Sequence, residues 1–271
     1  DIRREIGVIR INSKAGKKQP VFAAFIDGAT AELYGYLKND MLLVDVVRTN
    51  QEAFERIGMK QPDVRELLDM TRGDADTWRM YAEGYTMGLN QVEQEKTREK
   101  VMRYKPKNIT ELAAFVAAVR PAFKSMLPIF LDRRHFDYGI PAFDKLIQTR
   151  EMTSSFLLYQ EQTMKTLQFA GFSAPESYSA IKAIAKKHPE KVLPLKTRFL
   201  EGFAAIADMP SAEKVGQIIE DATSYGFNSS HAVCVALDSL YGAWLKAHHP
   251  LEYYTTLLSG YADKGDKDRI S

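Results

Sequence analysis

Tyr225-Gly226-Phe227-Asn228-Ser229-Ser230-His231-Ala232 opens an apolar pattern that runs to Leu245 and is closed by Pro250. A glycine turn, then amide and hydroxyl residues, then a sustained apolar run marks the start of a long helix. Such a start leaves backbone N–H groups free at the positive pole of the helix. Two serines and an imidazole stand beside them. Two readings fit this segment. One is an ordinary N-cap, since Asn and Ser are common caps. The other is a seat for a phosphate, which helix N-termini hold through N–H groups and the helix dipole. The rest of the chain must choose between them.

The chain has 271 residues, 45% hydrophobic and 27% charged, with a net charge of +2. That is enough apolar material for one large or two modest cores. The near-neutral balance says little about partners, so a case for nucleic acid rests on local clusters. One cysteine, Cys234, falls in the apolar helix pattern and reads as a small core residue. A single cysteine makes no internal disulfide framework and fits a reducing, cytoplasmic setting. No Cys/His group has zinc spacing, and no apolar run has membrane-span length, so no membrane contact is expected. Asp1 in place of a methionine and the polar residues 262–271 fit an excised or processed chain.

Before Arg48 the pattern is mixed. Residues 5–12 and 20–26 read as short strands, and 31–37 as a short helix. Residues 41–47 fit either a buried strand or a helix start. After Arg48, helix follows helix. They are expected over 49–57, 62–71, 75–85, 92–104, 108–119, 138–149, 151–170, 175–187, 193–206, 210–224, 228–247 and 250–260. Asp63, Asp74 and Ser211 stand near helix starts, and Pro194 punctuates. The expected fold is mainly α, a small α/β end followed by a large all-helical region.

Lys182, Lys186, Lys187, Lys191, Lys196 and Arg198 form a basic stretch in which Glu190 is the one acid. Lys182 and Lys186 share a helix face, and like charges at that spacing repel unless an anion lies between them. A solvated face and a phosphate-binding face both fit. In the Lys96–Lys107 cluster, interleaved glutamates account for the charge as helical ion pairs. Asp132-Arg133-Arg134-His135 is shorter and fits an exposed surface turn. Asp40 stands at the mouth of the apolar run 41–44, placed either as a turn residue or as a metal-directed carboxylate. Two-metal phosphoryl transfer needs at least two such acids. Asp27 and Asp45 are the nearest companions, and local geometry does not pair Asp45 with Asp40. Tyr159-Gln160-Glu161-Gln162 interrupts an otherwise apolar helix pattern. It reads as either a polar stripe or a hydrogen-bonding site.

These segments, in this order, resemble the bacterial C-family replicative DNA polymerase, the alpha subunit of DNA polymerase III. Leu37-Lys38-Asn39-Asp40-Met41-Leu42 is similar to that family's Leu-Lys-Phe-Asp-Phe-Leu. Gln91-Val92-Glu93 resembles its Gln-Leu-Glu, and Arg103 to Pro106 its Leu-Lys-Pro. Ala114 to Pro121 follows Ala-Leu-x-Arg-Pro-Gly, with Arg120 at the arginine. Asp132 to His135 resembles Asp-Arg-Lys-His. Tyr159 to Met164 is similar to Tyr-Gln-Glu-Gln-Val-Met, and Ala183 to Lys187 to Ala-Met-Gly-Lys-Lys. Residues 225–232 nearly repeat Tyr-Gly-Phe-Asn-Lys-Ser-His-Ala. Residues 245–250 resemble Leu-Lys-Ala-His-Tyr-Pro.

The resemblance covers about residues 20–260. It implies the end of the palm domain over 1–47 and the helical fingers domain over 48–271. It implies Asp40 as a catalytic, magnesium-directed carboxylate of a two-ion Mg²⁺ site that this chain supplies only in part. Lys182, Lys186, Lys187, Arg198, Asn228, Ser230 and His231 become nucleotide or phosphate contacts. Tyr159, Gln160 and Glu161 become contacts at the palm–fingers junction or the nascent pair. Arg120, Arg133 and Arg134 become DNA contacts. The implied partners are primer–template DNA, deoxynucleoside triphosphates, and the remaining palm and thumb segments or other replisome subunits.

The departures are specific. The family's Pro-Asp-x-Asp is missing from this chain. Ile181 and Lys182 replace its paired arginines, Ala122 its glycine and Ser229 its lysine. A divergent, phage-like fragment and one chain of a split enzyme both fit. So does the rival class, a non-catalytic helical nucleic-acid-binding or assembly module derived from such a polymerase. With one catalytic carboxylate, the chain alone is expected not to polymerise.

Overall fold

In a computed structural model, the structure describes residues 5–11, 21–37, 44–120, 123–185, 189–223, 227–263 and 265. The chain divides into two compact units, residues 1–44 and 45–271.

The first unit holds one antiparallel pair, β1 (Val8–Ile11) and β2 (Val21–Ala24), registered with Val8 opposite Ala24 and Ile11 opposite Val21. Its short helix α1 (Gly28–Leu33) starts at Asp27, whose carboxylate accepts the Thr30 N–H at 2.7 Å. Asp27, one of the two companion carboxylates considered for Asp40, therefore serves as a cap. The helix lies slightly earlier than the 31–37 expected. Phe22, Phe25, Leu33 and Leu37 stay largely exposed.

The second unit is helical throughout. It runs α2 (Asp45–Arg56), α3 (Val64–Thr71), α4 (Ala75–Ala82), α5 (Glu95–Tyr104), α6 (Ile109–Ala118), α7 (Leu127–Leu131) and α8 (Pro141–Ile147). It continues with α9 (Gln160–Phe169), α10 (Ala174–Ala185), α11 (Pro189–Ala204), α12 (Met209–Thr223), α13 (Ser229–His248) and α14 (Pro250–Asp263). The mainly α expectation holds, with sheet among the described residues limited to the N-terminal pair.

Two cores organise this unit. In the first lobe, α13 packs along α2, α4, α6 and α14. Helix α6 is buried all round from Leu112 to Ala118, as a central helix must be. Phe54, Tyr81, Phe115, Leu240 and Tyr253 fill this core. The second lobe, α8 to α12, closes over Phe143, Ile147, Leu167, Phe199 and Phe203. Gly202 of α11 lies so close to α9 that a Cβ there would come within 2.0 Å of the Ala170 carbonyl oxygen. A bare Cα is what permits that approach.

The caps show why the helices start where they do. Asp63 and Glu66 form a reciprocal capping box at α3, and Asn108 accepts the Glu111 N–H at α6. Several expectations need correction. Residues 151–159 are not helical. Gln162 Oε1 accepts the N–H groups of Leu158 and Tyr159, at 2.8 and 2.9 Å, and fixes the start of α9 at Gln160. Tyr159-Gln160-Glu161-Gln162 thus opens a helix instead of interrupting one. Residues 138–140 also lie outside the helix, which starts at Pro141, and Asp144 accepts the N–H groups of Tyr138 and Ile140. Asp208, not Ser211, caps α12, accepting the Ser211 N–H at 2.7 Å. Pro194 lies inside α11 instead of ending a segment. The short helix α7, with Pro128 in its first turn, was not apparent from periodicity. Cys234 is exposed, not a core residue: α13 buries Ala232, Val235, Ala236 and Ser239, and position 234 falls off that stripe.

Candidate functional site

The start of α13 is built by two helices that meet at their N-termini. Asn228 caps α13, its Oδ1 accepting the His231 N–H at 3.0 Å and the Ser230 hydroxyl at 2.5 Å. The Glu161 carboxylate, in the first turn of α9, accepts the Ser229 N–H through both oxygens at 3.2 and 3.1 Å. The Gln160 N–H donates to the Phe227 carbonyl at 3.0 Å, and Tyr159 and Phe227 form a parallel bridge. The positive pole of α13 therefore already carries one anion, supplied by the chain itself. His231 remains exposed, its ring edge-on to Phe227 at 5.2 Å between centroids.

The other neighbour of Phe227 is Arg120, whose guanidinium carbon sits 3.3 Å from the ring centroid. Its Nε is buried and without a hydrogen-bond partner among the described residues. Burial holds the guanidinium below its ordinary pKa. Arg120 also lines a cleft of about 220 Å³ with Phe123, Tyr138, Tyr159, Thr163 and Asp221. Burial, aided by Glu161, pushes the Tyr159 phenol up to about 12. Tyr159 thus stays a neutral hydrogen-bonding group at physiological pH.

The remaining candidates are dispersed. Arg133 adopts a left-handed backbone at φ 54° and turns inward. It donates to the Tyr104 and Lys105 carbonyls at 2.9 Å each and to both Glu111 oxygens at 3.0 and 2.6 Å. It thereby clamps the end of α5 to the start of α6. Glu111 pays for burial but is held below its ordinary value by Arg133 and the Lys107 N–H. Arg134 is exposed, 3.8 Å from Asp132. Arg198 is committed within the second lobe, bonded to Glu176 at 2.8 Å and to the Gly171 carbonyl at 2.9 Å. Its hydrogen bond, with the Ser173 groups, pulls Glu176 down to about 2. Lys182 is exposed, with its ammonium 4.5 Å from the Tyr178 ring centroid. Asp40, Lys186 and Lys187 lie outside the described residues.

Three residues that the sequence reading did not single out as site residues matter here. Gln162 is buried and bonds at both ends of its amide, its Nε2 donating to the Ile147 and Phe156 carbonyls at 2.8 and 3.1 Å. A polar residue inside an apolar run was its signal. Phe227 is the platform between Arg120 and His231. Lys246, only 4% exposed, donates to the Met87 carbonyl at 2.7 Å, and burial brings its pKa down to about 8. No group of three metal-ligating side chains converges among the described residues. No helix among them is long and apolar enough to cross a membrane.

The second unit is a two-lobed helical domain with one cap-and-cleft site near the junction of its cores. Residues 45–206 match the family described as the bacterial DNA polymerase III alpha subunit finger domain. The chain belongs to that family. It is 29% identical to the DNA polymerase III subunit alpha of Campylobacter jejuni over 96% of its own length and 23% of that protein. Against the same subunit of Thermotoga maritima it is 31% identical, covering 79% of this chain and 25% of the relative. Against that of Bacillus subtilis it is 30% identical, covering 88% and 21%. The chain thus spans about a quarter or less of the length of these relatives.

Proposed function

We propose that this chain supplies the nucleotide- and template-binding fingers of a DNA-directed DNA polymerase, together with one palm carboxylate, Asp40. The observation that carries this reading is the start of α13. There an exposed imidazole, a serine hydroxyl and a helix pole lie side by side, with an arginine stacked one residue upstream. A triphosphate at that pole meets N–H dipoles and His231, and Lys182, Lys186 and Lys187 are the further positive charges assigned to it. Asn228 and Ser230 are the further phosphate or sugar contacts at this helix end, where Glu161 competes with the ligand. In polymerases the protein's part is mainly positioning and charge neutralisation. Magnesium would bind at carboxylates that lie largely outside this chain, and the exposed apolar residues of the first unit would pack against the rest of the palm.

The test is binding of a deoxynucleoside triphosphate to the chain, compared with His231→Ala and Lys187→Ala. Loss in both variants supports a nucleotide site. Equal, weak binding that falls with salt in all three proteins indicates a generic basic surface and rejects it. The isolated chain should not extend a primer in a single turnover.

One observation favours the rival reading of a non-catalytic nucleic-acid-binding or assembly module. Glu161 already occupies the α13 pole, and Arg133 and Arg198 spend their charge on internal partners. That module binds primer–template DNA without responding to triphosphate.

A further inference from the structure

The Arg120 Nε is buried with no hydrogen-bond partner among the described residues, and burial disfavours the charge of the guanidinium stacked on Phe227. A buried guanidinium nitrogen without an acceptor is costly, and a ligand supplying one relieves that cost. The cleft it lines limits what that ligand is. At about 220 Å³ it is smaller than the roughly 300 Å³ at which drug-sized sites begin, so it suits a ring system but not a dinucleotide. Its walls are mostly apolar and aromatic, with Phe123, Leu157, Leu158, Ile218 and the rings of Tyr138 and Tyr159. Phosphate is a poor match for a cleft that offers one cation and also carries a carboxylate, Asp221, among its lining residues. Among the described residues Asp221 is not bonded to Arg120. It is held instead by Gln217, whose amide donates to it at 3.0 Å.

A flat, uncharged group with a carbonyl at one edge and an N–H donor at another satisfies both Arg120 and Asp221. Keto nucleobases have that pattern, and bases stack well on aromatic and guanidinium planes. We propose that the cleft between the two lobes receives an unpaired keto base of the single-stranded template. Arg120 donates to its carbonyl and Asp221 accepts from its N–H. An incoming nucleotide is the less suitable occupant, because its base must remain displayed for pairing while its phosphates sit at α13. Phe227 ties the two places together, since its ring carries Arg120 on one face and His231 at an edge. This inference rests on the fingers reading above and specifies where the template is held.

The experiment uses a primer–template duplex with a 5′ template overhang. A fluorescent thymine analogue that keeps the C4 carbonyl and the N3–H is moved base by base along the overhang. The chain should quench it strongly at one position. Arg120→Met should reduce that quenching at least fivefold, and Asp221→Asn at least threefold. An abasic site at that position should weaken duplex binding about tenfold, with no change to the protein. Uniform quenching along the overhang, or an abasic site without effect, overturns the proposal. So does quenching that survives both substitutions. If template and triphosphate still bind in those cases, the fingers reading stands and the cleft assignment alone falls. If neither ligand binds, the fingers reading falls as well.

Discussion

The Glu161 carboxylate accepts the Ser229 backbone N–H through both oxygens, so a side chain from α9 occupies the positive pole of α13. A charged acceptor at a helix N-terminus stabilises it by about 0.3–1 kcal/mol. It also competes with any external anion for the same pole. Glu161→Gln should therefore lower stability by about 0.5–1 kcal/mol and tighten triphosphate binding several-fold. Chemical denaturation and a nucleotide titration on the same protein check both. Weaker binding on removal of the charge would mean that Glu161 assists the ligand.

Asn228 separates capping from phosphate affinity. Asp and Asn cap almost equally well, whereas Ala costs roughly 1 kcal/mol. Asn228→Asp should melt close to the wild type yet bind triphosphate less well, because its added charge faces the phosphate. Asn228→Ala should melt lower. Thermal melts paired with nucleotide titrations separate the two effects.

Gln162 should be among the least replaceable polar residues of the second unit. Its amide bonds two N–H groups and two carbonyls at the seam between the cores. Gln162→Leu leaves those backbone groups buried and unpaired, at about 1–3 kcal/mol for each group that water does not reach. A total loss of about 3–5 kcal/mol in urea unfolding is expected.

Lys246 makes stability depend on pH. Its folded pKa, about 8, lies below the unpaired value of 10.5. Below pH 8 both states are charged, and the folded state bears the full penalty of burying the ammonium. Between about pH 8 and 10.5 the folded protein releases the proton while the unfolded chain keeps it, so stability rises with pH. The buried phenols of Tyr81 and Tyr253 titrate higher when folded and oppose this above their ordinary value of 10. Relative to Lys246→Met, the wild type should gain stability from pH 7.5 to 9.5. Parallel denaturation at those two pH values measures it.

Gly202 tests the packing of the second lobe. Its Cα lies too close to the Ala170 carbonyl for any side chain. Gly202→Ala normally favours a helix by about 1 kcal/mol, but here α11 must move away from α9, and a net loss of more than 2 kcal/mol is expected. The melting temperature reports the sign directly.

The helical character, most helix positions and the caps at Asp63, Asp74 and Asn228 were legible in the chain. These features are set within a few residues by periodicity and side-chain-to-backbone bonds. The family was legible too, because short motifs kept their order. The errors fell where a distant group overrode local pattern. Residues 151–159 look helical, yet Gln162 and the bridge to Phe227 hold their end extended. Cys234 lies in an apolar run, but which face of α13 is buried depends on the helices packed around it.

The roles of the basic residues divide in the same way. The sequence by itself determined that Arg120, Arg133, Lys182 and Arg198 are present and that α13 starts with a cap. Only the tertiary structure decided which of those charges are spent. Arg133 closes on Glu111, 22 positions away, and Arg198 on Glu176, also 22 away. Arg120 lines a cleft, and its buried Nε closes on no acceptor among the described residues. A cap is satisfied within one turn of chain, so local sequence specifies it. An ion pair depends on which helices fold against each other, and so it is fixed only when the two cores form.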